Sequence, residues 1–438
     1  MGPRLRRLAV PAVLVAALVG MAVAAVAQIG PSSGPYRRTV DRGYAALALP
    51  LVAASNRSGV SMRALLTSAR TSARSLDRVT LFAQLDQLAT DAVAVERAFA
   101  AITPPQPATT AASQCRAAFG DRATGAATLR DTLEGVLGGP TGLAPTDQPT
   151  AVAGLEAAGS SFAAGDASWA SCRRALRKAP GSASLPRSQW VRDPTVFQPP
   201  TSPRTVAALT SSRSLAAVHH LVLLGLVTQP TALSTGTTRV VPPTLSLTVD
   251  VVVANQGNVD EVGVEVGGTA MPQGAPGSPV PVQRTVDLSA GASTTLGLPA
   301  FAVSPGSAYV LQVTAESPRS TGPGPIASTS LPVQVQQATT VTALVATANP
   351  APVGRALTYT ADVSASLTGV PKPTGSVVFQ DDGVPIPGCS SVVLTNGRAL
   401  CTTSYQGSAL HAVTATYSGN AQLAGSDSGV YAERIGTG

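Results

Sequence analysis

Charge and aromatic rings are scarce in this chain: 12% of its 438 residues are charged and 4% aromatic. It has only three histidines. With so few histidines and no convincing acid pair, catalysis is not expected. No basic run is interleaved with aromatics, so no nucleic-acid partner is expected either. There are four cysteines. None sits in a CxxC or beside spaced histidines, so no metal and no cofactor is expected. Only one stretch, Leu8–Ala27, is apolar and uncharged over about 20 residues, enough to cross ~30 Å of hydrocarbon. The final residues, Arg434 to Gly438, carry no tail for wall attachment.

What is abundant is small or turn-forming. Ala, Val, Thr, Gly, Ser and Pro dominate, and the 41 Gly and 36 Pro suit turns and linkers. The length exceeds one domain, and roughly two to four are expected. Arginine greatly outnumbers lysine, whose only examples are Lys178 and Lys372. That bias fits a GC-rich coding sequence rather than a function. The net charge of +7 is uneven: residues 1–225 hold 23 basic against 12 acidic side chains, residues 226–438 hold 7 against 11. A basic first half suits anionic envelope polymers or lipid head groups as partners.

Arg4, Arg6 and Arg7 precede the apolar run, so residues 1–30 read as an export segment. Two outcomes stay open. Ala25-Val26-Ala27 fits a cleavage site, whereas the length of the run fits an uncleaved anchor helix holding the chain to the membrane. Either way the rest lies outside the cytoplasm, where disulfides persist. Three pairings of four cysteines exist. The local one, Cys115 with Cys172 and Cys389 with Cys401, keeps each bond inside one expected domain.

Residues 36–179 show a period near 3.6. Leu65, Leu66, Ala69, Leu76, Val79, Leu81, Phe82, Leu85, Leu88, Ala92, Val95 and Phe99 form one stripe that a long helix would bury. Cys115–Leu137, Thr150–Ala164 and Asp166–Lys178 also read as helices, giving an antiparallel all-α bundle. Asp86, Asp91 and Glu96 read as a solvated helix face, and Trp169 and Trp190 as buried rings rather than a sugar site. Asn56-Arg57-Ser58 is a glycosylation sequon without expected use. Residues 180–214, rich in Pro, Ser, Arg and Gln, read as a linker or an extended strap.

From 215 the period becomes 2. Thr244–Ala254, Glu261–Val266, Val282–Leu288, Ser293–Leu298 and Ala308–Ala315 alternate between turn clusters, and Leu221–Val227 reads as the opening strand. About seven strands form an all-β module over 215–337. Adjacent His219 and His220 point to opposite faces of a strand, so they do not suit one ion. The pieces Val251 to Asn258 and Pro305 to Val313 resemble cell-adhesion-related bacterial Ig-like modules (CARDB-like).

Residues 338–434 form a second all-β module. Thr395-Asn396-Gly397-Arg398 is a hairpin signal between Cys389 and Cys401, placing the two cysteines across neighbouring strands. Asp381-Asp382 with Asp362 invites a calcium reading, but two acids before Gly383 are ordinary turn chemistry. Three pieces carry a resemblance: Ala348 to Gly354, Pro373 to Phe379, and Val413 to Asn420. They resemble the bacterial Ig-like repeat of multidomain surface proteins. That resemblance implies a sandwich used as a spacer or adhesive unit and no catalytic residues.

The expected protein is therefore multidomain: an N-terminal membrane signal or anchor helix, a helical bundle, then two Ig-like sandwiches. Its expected role is that of an exported, non-enzymatic envelope protein contacting surface proteins or envelope polymers. The other reading makes the helical region a ligand receptor. A cavity among the helices would favour it.

Overall fold

The computed structural model describes residues 36–104, 109–178, 185–234, 236–274, 279–318, 324 and 326–436. The apolar run Leu8–Ala27, with its signal or anchor reading, lies outside them. Among the described residues no helix is long and apolar enough to cross a membrane. The chain divides into two compact units: residues 1–218 with 258–260, and residues 219–257 with 261–438.

The first unit is helical: α1 (Tyr36–Thr71), α2 (Arg78–Ala100), α3 (Thr109–Val136), α4 (Gln148–Lys178) and α5 (Thr201–Thr210). The single stripe expected over residues 65–99 is split between α1 and α2. Asp77 ends the turn by accepting the Thr80 amide at 2.8 Å, a side-chain N-cap that starts α2. Val79, once past the cap, faces solvent. The two helices expected over 150–178 are one, α4. Gly165 does not break it. It lets α3 approach, since a Cβ there would lie 2.9 Å from the Ala118 carbonyl oxygen and from Arg122. Close approach compensates for small side chains by bringing more atoms into contact per residue.

Of the two readings, the structure shows the strap rather than a free linker in residues 185–215. They hold a short 3-10 turn (Pro194–Phe197) and α5, and they bury Leu185, Trp190, Phe197, Val206, Leu209 and Leu215 in the helical cores. The Pro- and Ser-rich composition reflects an extended strap that is docked rather than free. Leu215 packs there too, so the β region opens at 219 rather than 215.

The second unit contains two sandwiches. In the first, β1 (Leu221–Gln229), β3 (Ser246–Asn255), β6 (Ser293–Gly297) and β7 (Phe301–Ala302) form one sheet. The other sheet runs β2 (Arg239–Val241), β9 (Ile326–Val335), β8 (Ala308–Glu316), β4 (Glu261–Pro272), β5 (Val282–Leu288). Among the described residues nine strands replace the expected seven, because β2 and β7 are too short to leave a periodic signal. Val249, Val251 and Val253 point inward on alternate positions of β3, as a half-buried strand requires.

In the second sandwich, β10 (Thr340–Ala346), β11 (Ala356–Ala365) and β15 (Arg398–Ser404) form a three-stranded sheet. Facing it, β12 (Ser376–Asp381), β13 (Val384–Pro385), β14 (Val392–Val393), β16 (Ala409–Tyr417), β17 (Ser426–Asp427) and β18 (Tyr431–Ile435) form the other. Tyr359, Ala361, Val377, Phe379, Val413 and Ala415 fill the space between the sheets. The Asn396-Gly397 turn is present, with both residues at positive φ (55° and 81°), as a two-residue hairpin turn demands.

Candidate functional site

Both disulfides form. Cys115 on α3 bonds Cys172 on α4, with Cα atoms 5.1 Å apart. Cys389 bonds Cys401, Cα atoms 5.6 Å apart. The second does not join neighbouring strands as expected. Cys401 lies on β15, whereas the carbonyl of Cys389 accepts from the Phe379 amide of β12, in the opposite sheet. The bond therefore ties the two sheets through the core.

Asp362 does not join Asp381 and Asp382. It pairs with Arg398 at 2.7 Å on the outer face of the three-stranded sheet. The other two meet a residue that the sequence reading left aside. Asp381 closes β12, Asp382 sits in the following turn at φ 49°, and His411 lies on β16 beside them. His411 Nδ1 is 2.7 Å from Asp381 Oδ2. One potential ligand atom from each of Asp381, Asp382 and His411 lies within 4.8 Å of the others. In register opposite His411 stands Glu433 of β18, fully buried, with neither carboxylate oxygen hydrogen-bonded. Burial pushes the Glu433 carboxyl up, and the nearby His411 opposes that shift.

Two phenols complete the cluster. The Tyr405 ring stacks on His411, centroids 4.0 Å apart, and its hydroxyl lies 3.3 Å from that of Tyr359. Burial raises both phenols, and the charges of Asp381 and Glu433 push them the same way. The cluster thus occupies one end of the sandwich interior. The signal for it was legible: in the alternating strand Tyr431 to Ile435, Glu433 falls on the inward parity with Ile435, a polar residue at a core position.

The outer face of the three-stranded sheet carries apolar side chains. Val345, Thr360 and Leu400 align across β10, β11 and β15, and Val341 lies along β10. Val341, Val345 and Leu400 are each more than half exposed.

The family comparison identifies this module. Residues 344–435 match the bacterial Ig-like domain (group 3) family. No curated protein sequence matches the chain. Solved structures similar to it include the fibronectin(III)-like modules of Clostridium thermocellum CbhA, at 16% identity and TM-score 0.19, covering 47% of this chain and 93% of that one. The D0-D1 domain of intimin gives 16% and 0.18, covering 49% and 99%. Murine CEACAM1b gives 10% and 0.21, covering 50% and 100%. At these scores no function is carried over from them.

Outside the Ig-like module, the other expected positions fall as follows. His219 binds Glu261 at 2.8 Å, while the His220 backbone carbonyl accepts from Gln256. Asp86 is solvated near Arg130, and Asp91 accepts from Gln87 at 2.7 Å. Trp169 and Trp190 are buried. Between them lies Arg122, also buried, over both indoles at 6.0 and 5.7 Å. Its guanidinium donates to Asp166 (2.8 Å), to the Ser188 hydroxyl (2.9 Å) and carbonyl (3.1 Å), and to the Ser55 hydroxyl (3.2 Å). Asp166 in turn accepts the Trp190 and Val191 amides. This network pins the strap, so its chemistry is structural.

The helical unit also has a groove of about 360 Å³ between α1 and α2. Ser58, Ser61, Ser68, Gln84, Gln87 and Asp91 line it over Leu65 and Leu88. The groove was invisible in sequence because its polar lining looks like any solvated helix face.

Proposed function

We propose that this chain is an exported, non-enzymatic envelope protein whose β-sandwiches hold a contact surface away from the membrane. The observation that carries this reading is the Ig-like module: its sheets are tied by Cys389–Cys401, and its outer face presents Val341, Val345 and Leu400. Apolar side chains in a row on a rigid sheet suit contact with a protein surface, because burying them releases water without ordering a loop. A disulfide-tied sandwich resists deformation, which suits a spacer. In this reading the N-terminal apolar run directs export, as a cleaved signal or as the tether, and the basic helical unit lies toward anionic envelope polymers or lipid head groups.

Retention of the purified chain on isolated cell-envelope sheets tests the contact surface. Val345→Glu with Leu400→Glu changes two exposed residues and is expected to leave the melting temperature within a few degrees. Retention is expected to fall at least ten-fold. Equal retention by a variant that melts like the parent would refute the outer face as the contact.

The groove between α1 and α2 supports a second reading, in which the helical unit receives a small polar solute. Its hydroxyl, amide and carboxylate lining offers hydrogen bonds to such a solute over a floor of two leucines. A solute that raises the melting temperature of the parent but not of Gln84→Ala would favour it. Failure across a panel of sugars and amino acids would leave the contact surface as the sole function proposed.

A further inference from the structure

We propose that Asp381, Asp382 and His411 form a site for a divalent transition ion of the zinc class. Three observations converge on it. The three side chains bring one imidazole and two carboxylates together, with one possible ligand atom of each inside a 4.8 Å span. Donors about 2.0–2.2 Å from a shared zinc ion stand roughly 3.4 Å apart, so the 2.7 Å contact of Asp381 Oδ2 with His411 Nδ1 has to open and the wider span has to narrow around one ion. Second, the site is electrostatically incomplete. Asp381, Asp382 and Glu433 are three acids, and among the described residues none forms an ion pair with an arginine or lysine. Third, Glu433 is fully buried with both oxygens unpartnered, and one oxygen of Asp381 is buried and unpartnered as well.

Buried acceptors without donors are costly, and a buried anion without a partner costs more. A divalent cation beside His411 would offset both. Glu433 occupies the register position opposite His411. The rest of the shell agrees. Tyr405 stacks on His411 and holds the ring plane. The Asp382 carboxylate is anchored near the Ala412 amide at 3.3 Å and remains exposed, which leaves the site an entry.

The donor set decides the class of ion. Calcium and magnesium take all-oxygen shells, whereas imidazole suits zinc and its neighbours. Two carboxylates and one imidazole leave at least one coordination position for water.

The test is calorimetric titration of the full chain, purified without a histidine tag and stripped with chelator, against ZnCl₂ and against CaCl₂. One zinc per chain is expected, with calcium at least a hundred-fold weaker. Asp382→Asn removes one charge from an exposed turn residue and is expected to weaken zinc at least ten-fold with an unchanged circular dichroism spectrum. His411→Gln is expected to abolish binding, and His219→Gln with His220→Gln to leave it intact. The proposal is overturned by absent zinc binding, by binding indifferent to Asp382→Asn and His411→Gln, or by calcium binding as tightly at this site.

Discussion

Removing the Asp166 carboxylate is the perturbation with the clearest consequence. Its partner Arg122 is 1% exposed and Asp166 itself 15%, so neither charge is well solvated. In Asp166→Ala the guanidinium keeps only serine oxygens as acceptors, and the Trp190 and Val191 amides lose theirs. Breaking one side of a buried ion pair costs about 3–5 kcal/mol. We take about 4 kcal/mol, a large share of the roughly 5–15 kcal/mol that holds a domain. Arg122→Met should cost less, about 2 kcal/mol, because Asp166 keeps two amide donors and the methionine fills part of the space. The double variant should fall short of the sum, since the two residues share one network. Urea unfolding read by tryptophan emission checks this. Both tryptophans of the chain lie over Arg122, so emission reports the helical unit alone. Asp166→Ala less harmful than Arg122→Met, or both within 1 kcal/mol of the parent, would refute the reasoning.

Burial, and then the charge of Asp86, lift the Glu134 carboxyl to about 7. A carboxyl raised above its unfolded value contributes stability fully present below about 4.5 and lost as pH rises through about 7. Glu134→Gln should therefore gain about 1 kcal/mol over the parent at pH 8, after allowance for screening, and nothing at pH 4.5. An equal gain at both pH values in thermal melts would contradict this. Reducing Cys115–Cys172, whose ends lie 57 residues apart, should remove about 4 kcal/mol from the helical unit, against about 3 kcal/mol for Cys389–Cys401 across 12. Paired-alanine variants in denaturant melts give the order, and a larger effect at the shorter loop would reverse the loop-entropy argument.

Periodicity exposed the larger pattern of this fold and missed what depends on long-range partners. The inward valines of β3 and the Asn396-Gly397 turn were legible because strand parity and turn chemistry are local. The Ig-like module was legible in its sequence motifs as well. The docking of the strap from 185 to 215 was not, because its anchors are Arg122 and Asp166, more than 20 residues away in sequence. For the same reason the route of Cys389 to the opposite sheet and the meeting of Asp381 with His411 were hidden. Each depends on which strand crosses between sheets. Glu433 left a local trace, an acid on the inward parity of its strand, and that trace marks the cluster.

On the proposed function, the helical unit and both sandwiches stand outside the cytoplasm. Protease protection in protoplasts tests it most directly. Cells expressing the chain are converted to protoplasts, and added protease is followed by detection at a C-terminal epitope, with the medium assayed alongside. All of the protein is expected either in the medium or digested at the protoplast surface without lysis. Full-length protein that stays protected until the membrane is ruptured would contradict it.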